Sequence, residues 1–164
     1  MRWIVVSCLL AGPALAHADD GIAKTAEPNS SGKNLIYVEA LGKGGLYGVG
    51  YERVLTERLS LGAAGSFAML SDQQVITVAP YVHGTLVQGR RNALFTEVGA
   101  VLAHSHLPSP VAGWDGMSET GGGGFASLGW EYARHHLVLR VSGSLVAGEG
   151  GLAPMFGFAL GVRL

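Results

Sequence analysis

The chain has little of what marks an enzyme, a nucleic-acid-binding protein or a helical membrane protein. Its one cysteine, Cys8, lies in the amino-terminal leader, so the rest of the chain predicts neither disulfides nor a thiolate metal site. Only 14% of the 164 residues are charged and the net charge is −1, which gives no basic patch for nucleic acid. Beyond the leader, no charge-free apolar run is long enough for a membrane helix, and the 26 glycines disfavour helices in general.

The first 18 residues, MRWIVVSCLLAGPALAHA, have the pattern of a secretory signal peptide. Arg2 supplies the positive start, an apolar run follows, and Ala16-His17-Ala18 is a small-x-small cleavage site, so we expect cleavage after Ala18. Residues 19–33 are small, polar and aperiodic, which predicts a flexible segment. The remaining residues, 34–164, are predicted to form one domain.

That domain alternates apolar and small or polar residues with a period of two. Near its start, Ile36 and Val38 alternate with Tyr37 and Glu39. A tilted strand crosses a bilayer with about 9–11 residues, and closed antiparallel barrels of the bacterial outer membrane have an even number of strands. Eight such segments predict an all-β, eight-stranded antiparallel up-and-down transmembrane barrel; they are residues 34–41, 46–54, 59–70, 75–87, 93–103, 124–134, 137–146 and 153–164.

The connections alternate between short polar turns and longer loops, as expected for turns on the periplasmic side and loops on the outer side. The predicted outer connections include one long loop at 104–123. Pro80 falls inside the fourth segment, and because proline cannot donate a ladder hydrogen bond, a local bulge is predicted there.

Two short pieces, Gly50-Tyr51-Glu52 and Gly129-Trp130-Glu131, and the terminal MFGFALGVRL resemble the strands and carboxyl-terminal assembly signal of small eight-stranded outer-membrane barrels, the OmpA/OmpX-like group. Where that family usually ends in Phe or Trp, this chain ends in Leu164. The resemblance implies a monomer in the outer membrane of a Gram-negative bacterium. Its expected partners are membrane lipids, lipopolysaccharide and, during biogenesis, the barrel-assembly machinery.

In a membrane barrel the apolar side faces lipid and the polar side faces the lumen, which eight strands fill with side chains. Ionisable groups in that narrow lumen must pair or form hydrogen bonds, so we expect Arg140 and Arg163 each to contact a glutamate. The predicted lumen network comprises Glu39, Glu52, Glu97, Glu131, Arg140 and Arg163, with Tyr37, Tyr81, His83, Ser142 and Ser144 as further members. The aromatic residues predicted at the membrane interface are Tyr47, Tyr51, Trp130 and Tyr132.

The glycine-rich stretch GKGGLYGVGYER, residues 42–53, raises the question of a phosphate-binding loop. It does not fit the dinucleotide pattern, because Tyr47 stands where a third glycine is needed and no helix follows. It is predicted to be a hairpin in which Gly48 and Gly50 face the lumen and leave room for larger side chains. No cofactor is predicted.

The sequence His104-Ser105-His106 is the one cluster that suggests chemistry, since a serine nucleophile needs a nearby base and an orienting acid. It resembles the His/Ser pairs of lipid A-modifying barrels, without their wider motif. A weak metal site with Asp115 or Glu119 is a second possibility. The expected role is a polar strand end, so neither a catalytic nor a metal site is predicted. In the loop that follows, Trp114 is expected either to contact a partner or to fold over the barrel mouth.

These features predict a non-catalytic outer-membrane barrel with a structural or surface-interaction role, and not a general porin. One alternative is an outer-membrane lipid A acyl hydrolase or transferase that uses Ser105 with His104 or His106. The other is a soluble periplasmic barrel that binds lipid, which would require an apolar lumen and a polar exterior.

Overall fold

The segments with alternating apolar and polar residues form paired β-strands along almost the whole length of the predicted domain. A computed structural model describes residues 32–43, 45–70, 73–108, 116–148 and 151–164. The described residues form eight strands: β1 Asn34–Ala40, β2 Tyr47–Val54, β3 Leu59–Leu70, β4 Gln73–Gln88, β5 Asn92–Leu107, β6 Met117–Arg134, β7 Leu137–Gly148 and β8 Gly151–Arg163. The predicted signal peptide, Trp114 and Asp115 lie outside the described residues.

Each strand pairs antiparallel with its neighbours in the chain, and β8 pairs with β1, which closes the barrel in the order β1 to β8. The predicted all-β, eight-stranded, up-and-down fold is therefore confirmed. Closure leaves no free sheet edge along the part of the barrel where β1 and β2 pair with their neighbours. No helix in the part of the chain that the structure describes is long and apolar enough to cross a membrane.

The two faces of the wall differ in chemistry. On β1, Tyr37 and Glu39 are 3% and 6% exposed inside the barrel, whereas Ile36 and Val38 are 52% and 56% exposed outside it. The aromatic side chains of β8 also point outward, with Phe158 53% exposed. This is the reverse of the apolar lumen and polar exterior that a soluble lipid-binding barrel requires.

The predicted long loop 104–123 is wrong, because most of it is strand. Residues 104–107 belong to β5 and residues 117–123 to β6, and the two pair as far as Leu107 with Met117. Polar residues and a glycine run misled the prediction, since both are typical of loops. Backbone pairing does not depend on apolar side chains, so the strands continue where the outward face turns polar.

The bulge predicted at Pro80 is also wrong. Pro80 pairs with Ala63 of β3, and the pairing of β4 with β5 passes from Val78 to Tyr81 without a change of register. The one register shift between β4 and β5 lies between Thr85 and Val87. The missing proline N–H interrupts the ladder locally and does not displace it.

The first hairpin is shorter than the strands beside it. Pairing of β2 with β3 begins at Gly65, and pairing of β1 with β8 stops at Phe158, although β3 and β8 both continue outward. The β1–β2 turn bends into the barrel instead. Leu41 has a φ of 60°, and Gly42 lies so close to β8 that a Cβ on Gly157 would be 3.0 Å from the Gly42 Cα.

Candidate functional site

The barrel lumen contains the charged residues that the alternation assigned to it. The side chains of Glu52 and Glu97 are each 1% exposed, and that of Arg140 is 5% exposed. Charges removed from water to this extent require close partners. All six residues of the predicted lumen network point inward: Glu39, Glu52, Glu97, Glu131, Arg140 and Arg163.

Arg140, in the middle of β7, is the centre of the network. Its two terminal nitrogens donate to Glu52, with Nη1 2.6 Å from Oε2 and Nη2 3.1 Å from Oε1. Its Nε donates to Glu131 Oε2 at 2.7 Å, and Arg163 Nη2 lies 3.4 Å from the other oxygen of Glu131. A planar guanidinium suits this paired geometry, so one side chain joins strands β2, β6 and β7.

Lys43 is a lumen residue that the alternation of apolar and polar residues does not assign. The inward bend of the β1–β2 turn brings its Nζ to 2.9 Å from Glu97 and 3.3 Å from Glu39. The ammonium also lies 4.5 Å from the centre of the Tyr81 ring, a cation–π distance. Burial alone would favour the neutral amine, but the carboxylates of Glu97 and Glu39 outweigh it and raise the pKa of Lys43.

Neutral side chains connect the charged ones. Tyr37 and Tyr81 share a hydrogen bond of 2.9 Å between their hydroxyls, and Tyr81 donates to Glu52 at 3.0 Å. The Nδ1 of His83 is 3.3 Å from Glu97. Nearer the β6–β7 side, Ser127 and Ser144 share a hydrogen bond of 2.7 Å. The lumen is therefore crossed by hydrogen bonds from one wall to the other.

Glycines make the room that these side chains occupy. A Cβ on Gly50 would collide with the ring of Tyr37, and one on Gly62 would collide with the ring of Tyr81. A Cβ on Gly129 would likewise collide with Phe95. The glycine-rich stretch 42–53 thus gives space inside a narrow barrel, and its turn brings Lys43 inward.

Glu52, His83 and Glu97 are the one group among the described residues with the spacing of a metal site, since one ligand atom of each lies within 4.8 Å of the others. Both carboxylates are already engaged by cations, Glu52 by Arg140 and Glu97 by Lys43. A metal ion would have to displace them. The geometry therefore favours an ion-pair network over metal coordination.

The His104-Ser105-His106 segment does not assemble a nucleophile and its base. The three residues are consecutive in β5, so the two histidines share the outer face while Ser105 points to the opposite one. Each histidine Nδ1 has a hydroxyl of β6 at 2.8 Å instead, Thr120 for His104 and Ser118 for His106. The expected role as a polar strand end agrees with these contacts.

The four aromatic residues predicted at the membrane interface lie on the outer face. Trp130 and Tyr132 stack with 6.1 Å between ring centres, and the Tyr51 hydroxyl donates to Asn34 at 2.8 Å. Tyr47, near the outer end of β2, is 57% exposed. Amphipathic rings on an apolar wall suit a boundary between lipid and water.

No protein-family model and no curated protein matches the sequence. Solved structures do match the fold. The N-terminal β-barrel domain of Pseudomonas aeruginosa OprF has a TM-score of 0.60 at 15% identity, covering 80% of this chain and 95% of that one. Ail, the attachment invasion locus protein of Yersinia pestis, has a TM-score of 0.55 at 10% identity, with 80% and 95% covered. The chain has the fold of the small eight-stranded outer-membrane barrels.

Proposed function

We propose that this protein is an integral β-barrel of the bacterial outer membrane with a closed lumen and a structural or surface-interaction role. The observation that supports this proposal is the apolar character of the outer wall. Large apolar side chains such as Leu61, Val98 and Leu160 are 47% to 59% exposed there. Exposed apolar surface on this scale is unfavourable in water and is what a lipid-facing barrel presents.

The lumen supports a role other than that of a general porin. Arg140 joins Glu52 and Glu131 across the interior, and Lys43 joins Glu39 to Glu97. Buried charges held by several partners are costly to separate. The filled interior matches the expectation that eight strands leave space for side chains and not for an aqueous channel.

A non-catalytic role is supported by the outer end of the barrel, where Ser105 faces away from both neighbouring histidines. The same end favours surface interaction, because β4, β5 and β6 extend along the barrel axis beyond the first hairpin. There the face that they turn away from the lumen is polar and includes Gln74, His104 and Thr120. One of the structural neighbours, Ail, is named as an attachment invasion locus protein. Outer-membrane lipids and lipopolysaccharide would surround the wall of a monomer.

Membrane fractionation combined with gel migration tests the proposal. The full chain, expressed in a Gram-negative host, should fractionate with the outer membrane and migrate differently before and after boiling. That difference arises because closed barrels stay folded in detergent until heated. In planar bilayers the purified protein should give no steady porin-like current. A mature protein that remains in the soluble periplasm would overturn the membrane assignment, and a large steady conductance would overturn the closed lumen.

A further inference from the structure

The exposed charges of the barrel are distributed unevenly between its two ends. Among the residues that the structure describes, every exposed lysine or arginine lies at the end with the three short turns, where Glu57 is the one exposed carboxylate. At the opposite end, within the same described ranges, Glu119 is exposed and Lys43 is buried. The exposed cations are Lys33, Arg53, Arg58, Arg90, Arg91 and Arg134. The turn end is therefore cationic, although the chain as a whole has a net charge of −1.

Three of these cations lie together in an arginine cluster, which comprises Arg90, Arg91 and Arg134. Arg90 and Arg91 are in the turn between β4 and β5. The Ala133 N–H donates to the Arg91 carbonyl oxygen at 2.8 Å, so this turn lies beside the end of β6, where Arg134 follows. None of the three forms an ion pair with a residue that the structure describes.

A group of like charges without a counter-ion from the protein favours an anion from outside it. Guanidinium groups stay protonated at all physiological pH values, so the cluster cannot relieve its repulsion by losing a proton. Their planar arrays of N–H donors match the oxygens of a phosphate, which they bind through paired hydrogen bonds. The chemistry of the cluster therefore indicates a phosphate group.

The strand beside the cluster indicates where that phosphate comes from. Every second residue of β6 points outward, so Leu128, Trp130, Tyr132 and Arg134 form one column. Leu128 and Trp130 are 55% and 45% exposed, and the rings of Trp130 and Tyr132 stack with 6.1 Å between their centres. The column passes from aliphatic through amphipathic to cationic, the order in which a phospholipid presents its acyl chain, its interfacial region and its phosphate. An acidic protein would match the arginines and not the rest of the column.

We propose that the arginine cluster binds the headgroup phosphate of an anionic phospholipid whose acyl chains lie along Trp130 and Leu128. The inference rests on the proposed membrane location and goes beyond it, because it assigns a lipid class to one position on the wall. A lipid such as phosphatidylglycerol is favoured over phosphatidylcholine, whose ammonium group the cluster repels. One basic residue close to an anionic surface strengthens association about fivefold.

Trp130 can report on this site, because it lies in the same column as Arg134. With Trp3→Phe and Trp114→Phe it becomes the one tryptophan of the chain. The full chain is purified from outer membranes and reconstituted in vesicles of phosphatidylcholine with increasing fractions of phosphatidylglycerol. One of the two lipids has brominated acyl chains, which quench tryptophan fluorescence on contact. Exchanging the brominated lipid gives the association constant of phosphatidylglycerol at Trp130 relative to phosphatidylcholine.

With the natural arginines the relative association constant should be at least about five, and the triple variant Arg90→Gln, Arg91→Gln, Arg134→Gln should lower it to about one. Lysine at the same three positions keeps the charges and should retain most of the preference, which a merely structural role of the arginines would not. Arg53→Gln removes a cation from β2, away from the cluster, and should leave the constant unchanged. Equal constants for the natural protein and the triple Gln variant would overturn the lipid site.

The same measurements separate this proposal from the membrane location on which it rests. If brominated phosphatidylcholine quenches Trp130 but phosphatidylglycerol is not preferred, the lipid site alone is contradicted, and an acidic protein becomes the partner that the cluster fits. If neither brominated lipid quenches Trp130, the wall does not face lipid and the membrane location itself is contradicted. A preference that millimolar inorganic phosphate abolishes would show that the arginines bind free phosphate, which also overturns the lipid site.

Discussion

Glu97 and Val98 are consecutive residues of β5, yet the first is 1% exposed in the lumen and the second is 59% exposed on the outer wall. The inner position depends on a few strong contacts, because Glu97 has Lys43 at 2.9 Å and His83 at 3.3 Å. The outer position depends on many weak contacts with whatever surrounds the wall. A register slip of one residue would exchange the two and place a carboxylate on the apolar outer wall.

This comparison shows where the barrel tolerates change. An inner side chain is fixed by partners on other strands. Its removal leaves a buried charge without a partner, and the enlargement of an inner residue causes a collision. An apolar outer side chain such as Val98 needs no such partner and has to suit only its surroundings. Substitutions should therefore rank by the face on which they fall and by the number of partners they remove.

The largest effect is expected for Arg140→Met, which leaves Glu52 and Glu131 buried without their main cation. Removal of one member of a buried ion pair costs about 3–5 kcal/mol, so the free energy of unfolding should fall by that amount. Urea titration of the protein refolded in vesicles measures it. Arg58→Met, in the exposed β2–β3 turn, is the control and should change stability by less than about 0.5 kcal/mol. Equal effects of the two would contradict a central role for Arg140.

On the outer wall, Val98→Arg should cost about 2–4 kcal/mol, since in the proposed membrane location a cation in the middle of β5 loses its hydration. Val98→Leu keeps the apolar character and serves as the control. The same vesicle titration compares them, and repetition in a zwitterionic detergent should reduce the difference. If Val98→Arg is as stable as Val98→Leu in vesicles, the outward face of β5 does not contact lipid.

A smaller cost is expected for Gly50→Ala, because the new methyl group collides with the ring of Tyr37. Overpacking of a filled interior costs about 1–3 kcal/mol. Gly121→Ala is the matched control, since a Cβ there has no atom within 4 Å. Thermal unfolding in detergent, followed by gel migration, should separate the two variants. Equal midpoints would mean that Gly50 does not make room for Tyr37.

The smallest effect concerns Lys43 and alkaline pH. Its pKa is higher in the folded barrel than in the unfolded chain, so its contribution is complete below about pH 10.4, the ordinary lysine value, and is lost as the pH rises through the folded value. Between pH 10 and 11.5 the wild type should lose about 1 kcal/mol more than Lys43→Met. Unfolding titrations at both pH values measure this difference. Identical losses would show that Lys43 does not stabilise the lumen as an ammonium.

Much of this molecule follows from alternation alone. The period of two gives eight strands and assigns residues such as Glu52 and Arg140 to the inner face, because neighbouring residues of a strand point to opposite sides. The errors fall where that signal is weak. Residues 104–107 and 117–123 looked like a loop, since polar residues and glycines pair through their backbones without an apolar pattern. Pro80 suggested a bulge that pairing on both sides of it makes unnecessary.

Lys43 shows what local patterns cannot provide. It lies in a glycine-rich turn, where no alternation assigns a face, and only the inward bend at Leu41 brings it beside Glu97.

The sequence by itself determined the strand count, the antiparallel order and the inner or outer face of residues in the eight alternating segments, because successive side chains of a strand point to opposite faces. Tertiary structure decided which inner charges meet and how a turn residue, Lys43, completes their network. These depend on register and closure around the whole barrel, which bring Glu52 and Arg140 together from 88 residues apart.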